Sequence, residues 1–306
     1  MLLTPDLLNR LTSLEIKARQ IVEGFISGLH KSPYFGFSVE FAEHRPYNLG
    51  DELKHLDWKV YGKTERYYVK QYEEETNLRC YLLMDISSSM QFRYFADWSK
   101  LRYAVHLGAA IAYLLHRQRD GCGFVPFDSE ISEILPAKSS YAHLLYLYKK
   151  LDHILETCDG EVPEQRQTAS AEAIHQLAER IKRRSLVVIL TDLFENVHKQ
   201  DELVSALKHL RHRKHDVILF HLLERKSERE LDFPDDRFVF RDLETGGEMD
   251  VIPSQIRNDY QNKMEQYTKN FRITCSDANI SYEEVDTQQS FDYALLAFLN
   301  KRRRLM

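Results

Sequence analysis

The sequence predicts an α/β protein built on a doubly wound, mostly parallel sheet. Three observations carry this. From residue 78 onward short, nearly continuous apolar runs such as "SLVVIL" and "DVILFHLL" alternate with helical patterns, as expected of strands buried on both faces. No run reaches the length of a membrane-spanning helix. Polar residues stand where two of the runs stop, at Asp85 and at Thr191-Asp192, and ligands of doubly wound sheets bind beyond the carboxyl ends of the strands.

The elements follow in order. Residues 5–29 place Leu7, Leu8, Leu11, Leu14, Ile16 and Ile21 at helical spacing and predict an amphipathic helix. Residues 30–75 alternate and turn, which predicts a small β-rich section. "LRCYLLMD" is the first strand of the main sheet, residues 96–118 a helix, and "CGFVPFD" the next strand. A short strand is expected in "SEISEILP", then helices over 140–155 and 169–184, the latter with Thr168 as its N-cap. Strand "SLVVILTD", helix 201–213 and strand "DVILFHLL" follow. An insertion over 224–253 holds a hairpin around Gly246-Gly247. Helix 254–271, strand "ISYEEVD" and helix 290–302 complete the chain. Two domains are expected, 1–77 and 78–306.

The 306 residues carry a formal net charge of -5, which speaks against a dedicated nucleic-acid binder. The basic clusters Lys208–Lys214 and Lys301–Arg304 read as solvated helix ends. Cys80, Cys122, Cys158 and Cys275 are scattered, as in a reduced cytoplasmic protein, and no secretory leader is expected. Glycine-rich phosphate loops are absent, so nucleotide binding by those routes has no support.

The chemistry concentrates at the strand ends. Asp85, Ser87 and Ser89 alternate, so an extended turn can aim all three at one point. Thr168 and Asp192 stand at the ends of other elements that this fold brings to the same edge. Hydroxyls and carboxylates are hard oxygen ligands suited to Mg²⁺, with Mn²⁺ as a substitute. Few charges would touch the metal, which would therefore accept an acidic group from another protein. The same residues also serve as turn formers and helix caps, and that reading stays open.

Asp85-x-Ser87-x-Ser89, Thr168 and Thr191-Asp192 resemble the metal-ion-dependent adhesion site of von Willebrand factor A domains, and "GCGFVPFDSEI" is similar to the second and third strands of that fold. Upstream, "EFAEHRPYNLGDELKHLDWKVYGKTERYYVKQYEEETN" resembles the signature of the bacterial family called domain of unknown function 58. Its pattern falls here on Arg45, Tyr47, Gly50, Asp51, Leu56, Asp57 and Trp58. Lys54 and Gly62-Lys63 stand where the family has arginines, without the bidentate fork of a guanidinium. The resemblance implies an adaptor for a MoxR-type AAA+ ATPase or its client; many members of that family also carry membrane helices upstream, whereas no integral membrane segment is expected in this chain, which has no apolar run long enough. Arg45, Tyr47, Asp51, Asp57 and Trp58 read either as packing residues or as partner contacts. The leading expectation is thus a non-enzymatic interaction module with metal ligands Asp85, Ser87, Ser89, Thr168 and Asp192. The alternatives are a metal-dependent hydrolase or phosphotransferase using Asp85, and a metal-free scaffold.

Overall fold

The structure, a computed structural model, describes residues 13–30, 44–46, 61–62, 64–70, 78–158, 168–193, 200–234 and 236–303. It divides into two compact units, Met1–Ile26 with Leu78–Met306, and Ser27–Asn77. In the smaller unit β1 (His44–Pro46) pairs antiparallel with β2 (Tyr68–Lys70).

The larger unit is α/β, with a mostly parallel six-stranded sheet. Its strands are β3 (Arg79–Asp85), β4 (Gly121–Phe127), β5 (Leu135–Lys138), β6 (Leu186–Thr191), β7 (Asp216–Leu223) and β10 (Ser281–Asp286). Their spatial order is β10-β7-β6-β3-β4-β5, and only the β4–β5 pair is antiparallel. From β3 the chain winds outward through β4 to β5, then returns to β6 on the other side and winds out to β10. The arrangement is compatible with a doubly wound fold, with its switch point between β3 and β6.

Alternation along each strand sorts the core into two layers. Leu83, Val125, Val187, Ile189, Val217 and Leu219 are buried with residues of α4 (Ser170–Arg180), α5 (Gln200–His212) and α6 (Pro253–Asp277). On the other face lies α2 (Lys100–Arg117), where a Cβ on Gly108 would stand 3.0 Å from Met84 Cε and 3.8 Å from Leu82 and Leu190. Glycine here lets helix and sheet approach closely. Each such fully buried aliphatic side chain contributes roughly 1.5–3 kcal/mol by leaving water.

Local chemistry moved several boundaries. Helix α2 begins at Lys100 rather than 96, because Ser99 caps it by accepting from Arg102 N at 3.2 Å. Strand β5 starts only at Leu135, later than expected. Helix α1 (Leu14–His30) buries Leu14, Ala18, Ile21, Val22 and Phe25, whereas Ile16, expected on that stripe, is exposed. Leu7, Leu8 and Leu11 lie outside the described residues. Helix α3 (Tyr141–Cys158) and the hairpin strands β8 (Phe238–Arg241) and β9 (Glu248–Val251) form where expected. Helix α7 (Asp292–Arg303) ends on a buried contact, since Arg302 Nε donates to Asp120 Oδ2 at 2.8 Å. Its basic end is therefore not simply solvated.

Candidate functional site

The adjacent parallel strands β3 and β6 end together at the switch point, and their terminal residues meet there. Asp85 closes β3 and is 0% exposed. One of its oxygens accepts from Ser87 N at 2.9 Å and the other from Thr191 Oγ1, at the end of β6, at 2.7 Å. Ser87 Oγ and Ser89 Oγ face each other at 3.0 Å. Burial, with Asp192 as a like-charged neighbour, raises the Asp85 carboxyl to about 7, against the opposing hydrogen bonds from Ser87 and Thr191.

Thr168 lies at the same edge. Consecutive carbonyls at the end of β4 hold the loops together: Phe127 O accepts from Ile86 N at 2.8 Å and Asp128 O from Ala169 N at 2.9 Å. The N-cap of α4 is Ala169, with no side-chain capping bond, so the cap expected of Thr168 is not made. Instead Thr168 gives its hydroxyl to Glu244 Oε1 at 2.6 Å and its amide to Glu244 Oε2 at 3.1 Å. Glu244 stands in the turn of the β8–β9 hairpin, a contact that sequence spacing did not signal.

Asp192 is buried beside an unexpected cation. Lys100 Nζ reaches Asp192 Oδ2 at 2.8 Å and Glu228 Oε1 at 2.5 Å. Burial alone would lower the Lys100 pKa, but the two carboxylates outweigh it and hold the ammonium charged. Glu228 in turn accepts from Glu224 N at 2.6 Å. Glu224, fully buried at the end of β7, accepts from Tyr94 N at 3.0 Å, Phe95 N at 2.7 Å and Ala96 N at 2.5 Å. It therefore clamps the loop that runs on from the serines. The sequence held a signal for Glu224, because β3, β6 and β7 are neighbours and an acid follows or ends each run.

The structure thus gathers Asp85, Ser87, Ser89, Thr191 and Asp192, and ties Thr168 to the same edge through β4. Arg45 sits in β1, and Tyr47, Asp51, Asp57 and Trp58 lie outside the described residues. Among the described residues no group of three or more His, Cys, Asp or Glu side chains is arranged to hold a metal. The gathered set is of another kind, serine hydroxyls backed by two carboxylates. A buried carboxylate whose ionised form is disfavoured fits a hard divalent cation, which would supply the missing positive charge.

The family described as "Protein of unknown function DUF58" matches residues 43–270. Uncharacterized protein Rv1480 of Mycobacterium tuberculosis is 23% identical over 303 residues, spanning 98% of this chain and 91% of that protein. The conserved hypothetical protein BatB from Bacteroides thetaiotaomicron superposes with a TM-score of 0.46 at 17% identity, over 74% of this chain and 99% of that one. An aerotolerance-related membrane protein from Bacteroides fragilis gives 0.45 at 17%, over 73% and 99%. With a structural neighbour described as a membrane protein, the expected cytoplasmic localisation does not stand, and no other takes its place. No helix among the described residues is long and apolar enough to cross a membrane.

Proposed function

The chain belongs to the DUF58 family, and on that premise we propose that it is a non-enzymatic interaction module that binds Mg²⁺ at the β3–β6 switch point and captures an acidic group of a partner protein. The observation that carries the reading is Asp85, a fully buried carboxylate repelled by Asp192 and set beside two facing serine hydroxyls. A cation joining such a group offsets the cost of its buried charge. The hydroxyls of Ser87, Ser89 and Thr168 would hold the ion, with Asp85 and Asp192 balancing charge around it. Bound there, Mg²⁺ supplies a hard electrophilic centre with room for a further carboxylate oxygen. Thr191 orients Asp85 by its hydrogen bond, and Lys100 pairs with Asp192.

The strand order with one antiparallel edge pair supports a von Willebrand factor A-like reading of the sheet. The family resemblance implies that the partner is a MoxR-type AAA+ ATPase or its client, with this chain as adaptor. Burial of Asp85, with both oxygens accepting hydrogen bonds, disfavours its use as a nucleophile.

The test is capture of a MoxR-type ATPase by the full chain in Mg²⁺ and in EDTA. Wild type should capture it only in Mg²⁺, and folded Asp85→Ala in neither. Equal capture by the variant in both conditions rejects the mechanism. One observation favours a metal-free scaffold: Lys100 already gives the cluster an internal cation. Calorimetry with Mg²⁺ on wild type and Ser87→Ala separates the two, since a scaffold would show no binding heat in either.

A further inference from the structure

An acid receptor open to a partner should have no carboxylate on its hydroxyls, and here Thr168 already carries one. Both oxygens of a single carboxylate, Glu244, accept from Thr168, one from the hydroxyl at 2.6 Å and one from the amide at 3.1 Å. Such two-point, charge-assisted contacts are among the stronger and more directional hydrogen bonds.

The turn that presents Glu244 is itself tightly built. Asp242 Oδ1 accepts from Glu244 N at 2.8 Å, and Asp242 Oδ2 from Thr245 Oγ1 at 2.5 Å. Asp242 N donates to Gly247 O at 2.8 Å and Gly246 N to Asp242 O at 2.9 Å. Gly246 takes φ 74, a left-handed conformation that glycine adopts without strain. The hairpin forms its own two-stranded sheet, separate from the six-stranded one. Because it shares no ladder with the six-stranded sheet, moving it off Thr168 would break no strand pairing there. At its base Phe238 and Phe240 lie against Phe233, which also meets Tyr94 and Phe95 on the loop that leads on from Ser89. The hairpin thus reaches Thr168 through its tip, and its base is linked to the serine loop through Phe233.

We propose that Glu244 is the resident carboxylate of the site: the β8–β9 turn seats it on Thr168 in place of the partner's acidic group, and the partner docks by displacing it. This rests on the acid-capture reading above. It also names the chemistry of the partner, a Glu or Asp presented at the tip of a tight turn.

The probe is a labelled peptide of residues 237–252, cyclised through its ends so that the hairpin turn is held, offered in trans to the full chain and to its Glu244→Ala variant, each in Mg²⁺ and in EDTA. The variant should bind the peptide at least about tenfold more tightly than wild type in Mg²⁺, and a peptide carrying the same Glu-to-Ala change should not bind. Amide exchange at Thr168 should quicken in the variant while the interior of α4 keeps its protection. Equal Mg²⁺-dependent affinity for the two chains would overturn the latch and leave the capture reading standing. Tighter binding by the variant that persists in EDTA would support the latch and overturn the metal. No binding to either chain would overturn the latch. Should Glu244→Ala fail to fold, Glu244→Met takes its place, because it keeps a comparable side-chain length and removes both oxygens that accept from Thr168.

Discussion

A lysine ammonium taken out of water costs several kcal/mol unless carboxylates replace its hydration. Lys100 is 1% exposed and opens α2, where the helix dipole opposes a cation. It stays charged because Asp192 and Glu228 both reach it, and its Nζ also lies 5.5 Å from the Phe92 ring centre. Replacing it leaves two buried carboxylates facing each other without that counter-charge. Lys100→Met should therefore lower unfolding stability by roughly 3–5 kcal/mol, read from the urea midpoint at neutral pH. Adding Glu228→Gln should recover part of the loss, because one of the stranded charges is then removed. A loss below about 1 kcal/mol for the single variant would show that Lys100 does not hold the cluster.

At the scale of elements, the loop between β3 and α2 carries Ser87 and Ser89 and then bends through 94–96, where Glu224 accepts three consecutive backbone N–H groups. Ser227 Oγ donates to the other Glu224 oxygen. The end of β7 thus fixes a loop that leaves β3, two strands away. Glu224→Ala should speed amide exchange at Tyr94, Phe95 and Ala96 by about tenfold or more, with the interiors of β3 and β6 unchanged. Unaltered exchange at those amides would mean the loop is held from elsewhere. Much of this layout was legible in the sequence, because apolar runs mark buried strands and Asp85 and Asp192 stand where the runs stop. Glu224 obeys the same rule but reads equally as the first residue of the insertion. Glu244 was not legible, since its contact with Thr168 spans 76 residues and depends on how a hairpin tip is aimed. The start of α4 was misread for a related reason: a threonine in capping position gave its hydroxyl to a tertiary partner instead.

Across the whole molecule, buried ionisable groups make stability depend on pH in opposed ways. His106, in α2, lies against the Trp98 ring and shares a 2.8 Å hydrogen bond with Arg102 O. Burial lowers its pKa to about 3. Burial likewise lowers His221 to about 4. In the unfolded chain both would titrate near the ordinary histidine value of about 6.5. Below that value the unfolded chain takes up protons that the folded chain refuses, so their contribution is present above about pH 6.5 and is lost as pH falls toward 4 and 3. Asp85, Asp120 and Glu228 act in the opposite sense, because burial raises each and the folded state accepts their protons first. Their contribution is present at low pH and is lost as pH rises. A difference measurement isolates one group from this balance. His106→Phe keeps a ring against Trp98 and removes the titration, so its acid loss should be shallower than that of wild type. The stability of wild type relative to the variant should fall by about 1 kcal/mol per pH unit between pH 6 and 4, read from urea midpoints along a pH series. A gap that stays constant over that range would mean His106 takes up its proton in the folded chain as readily as in the unfolded one.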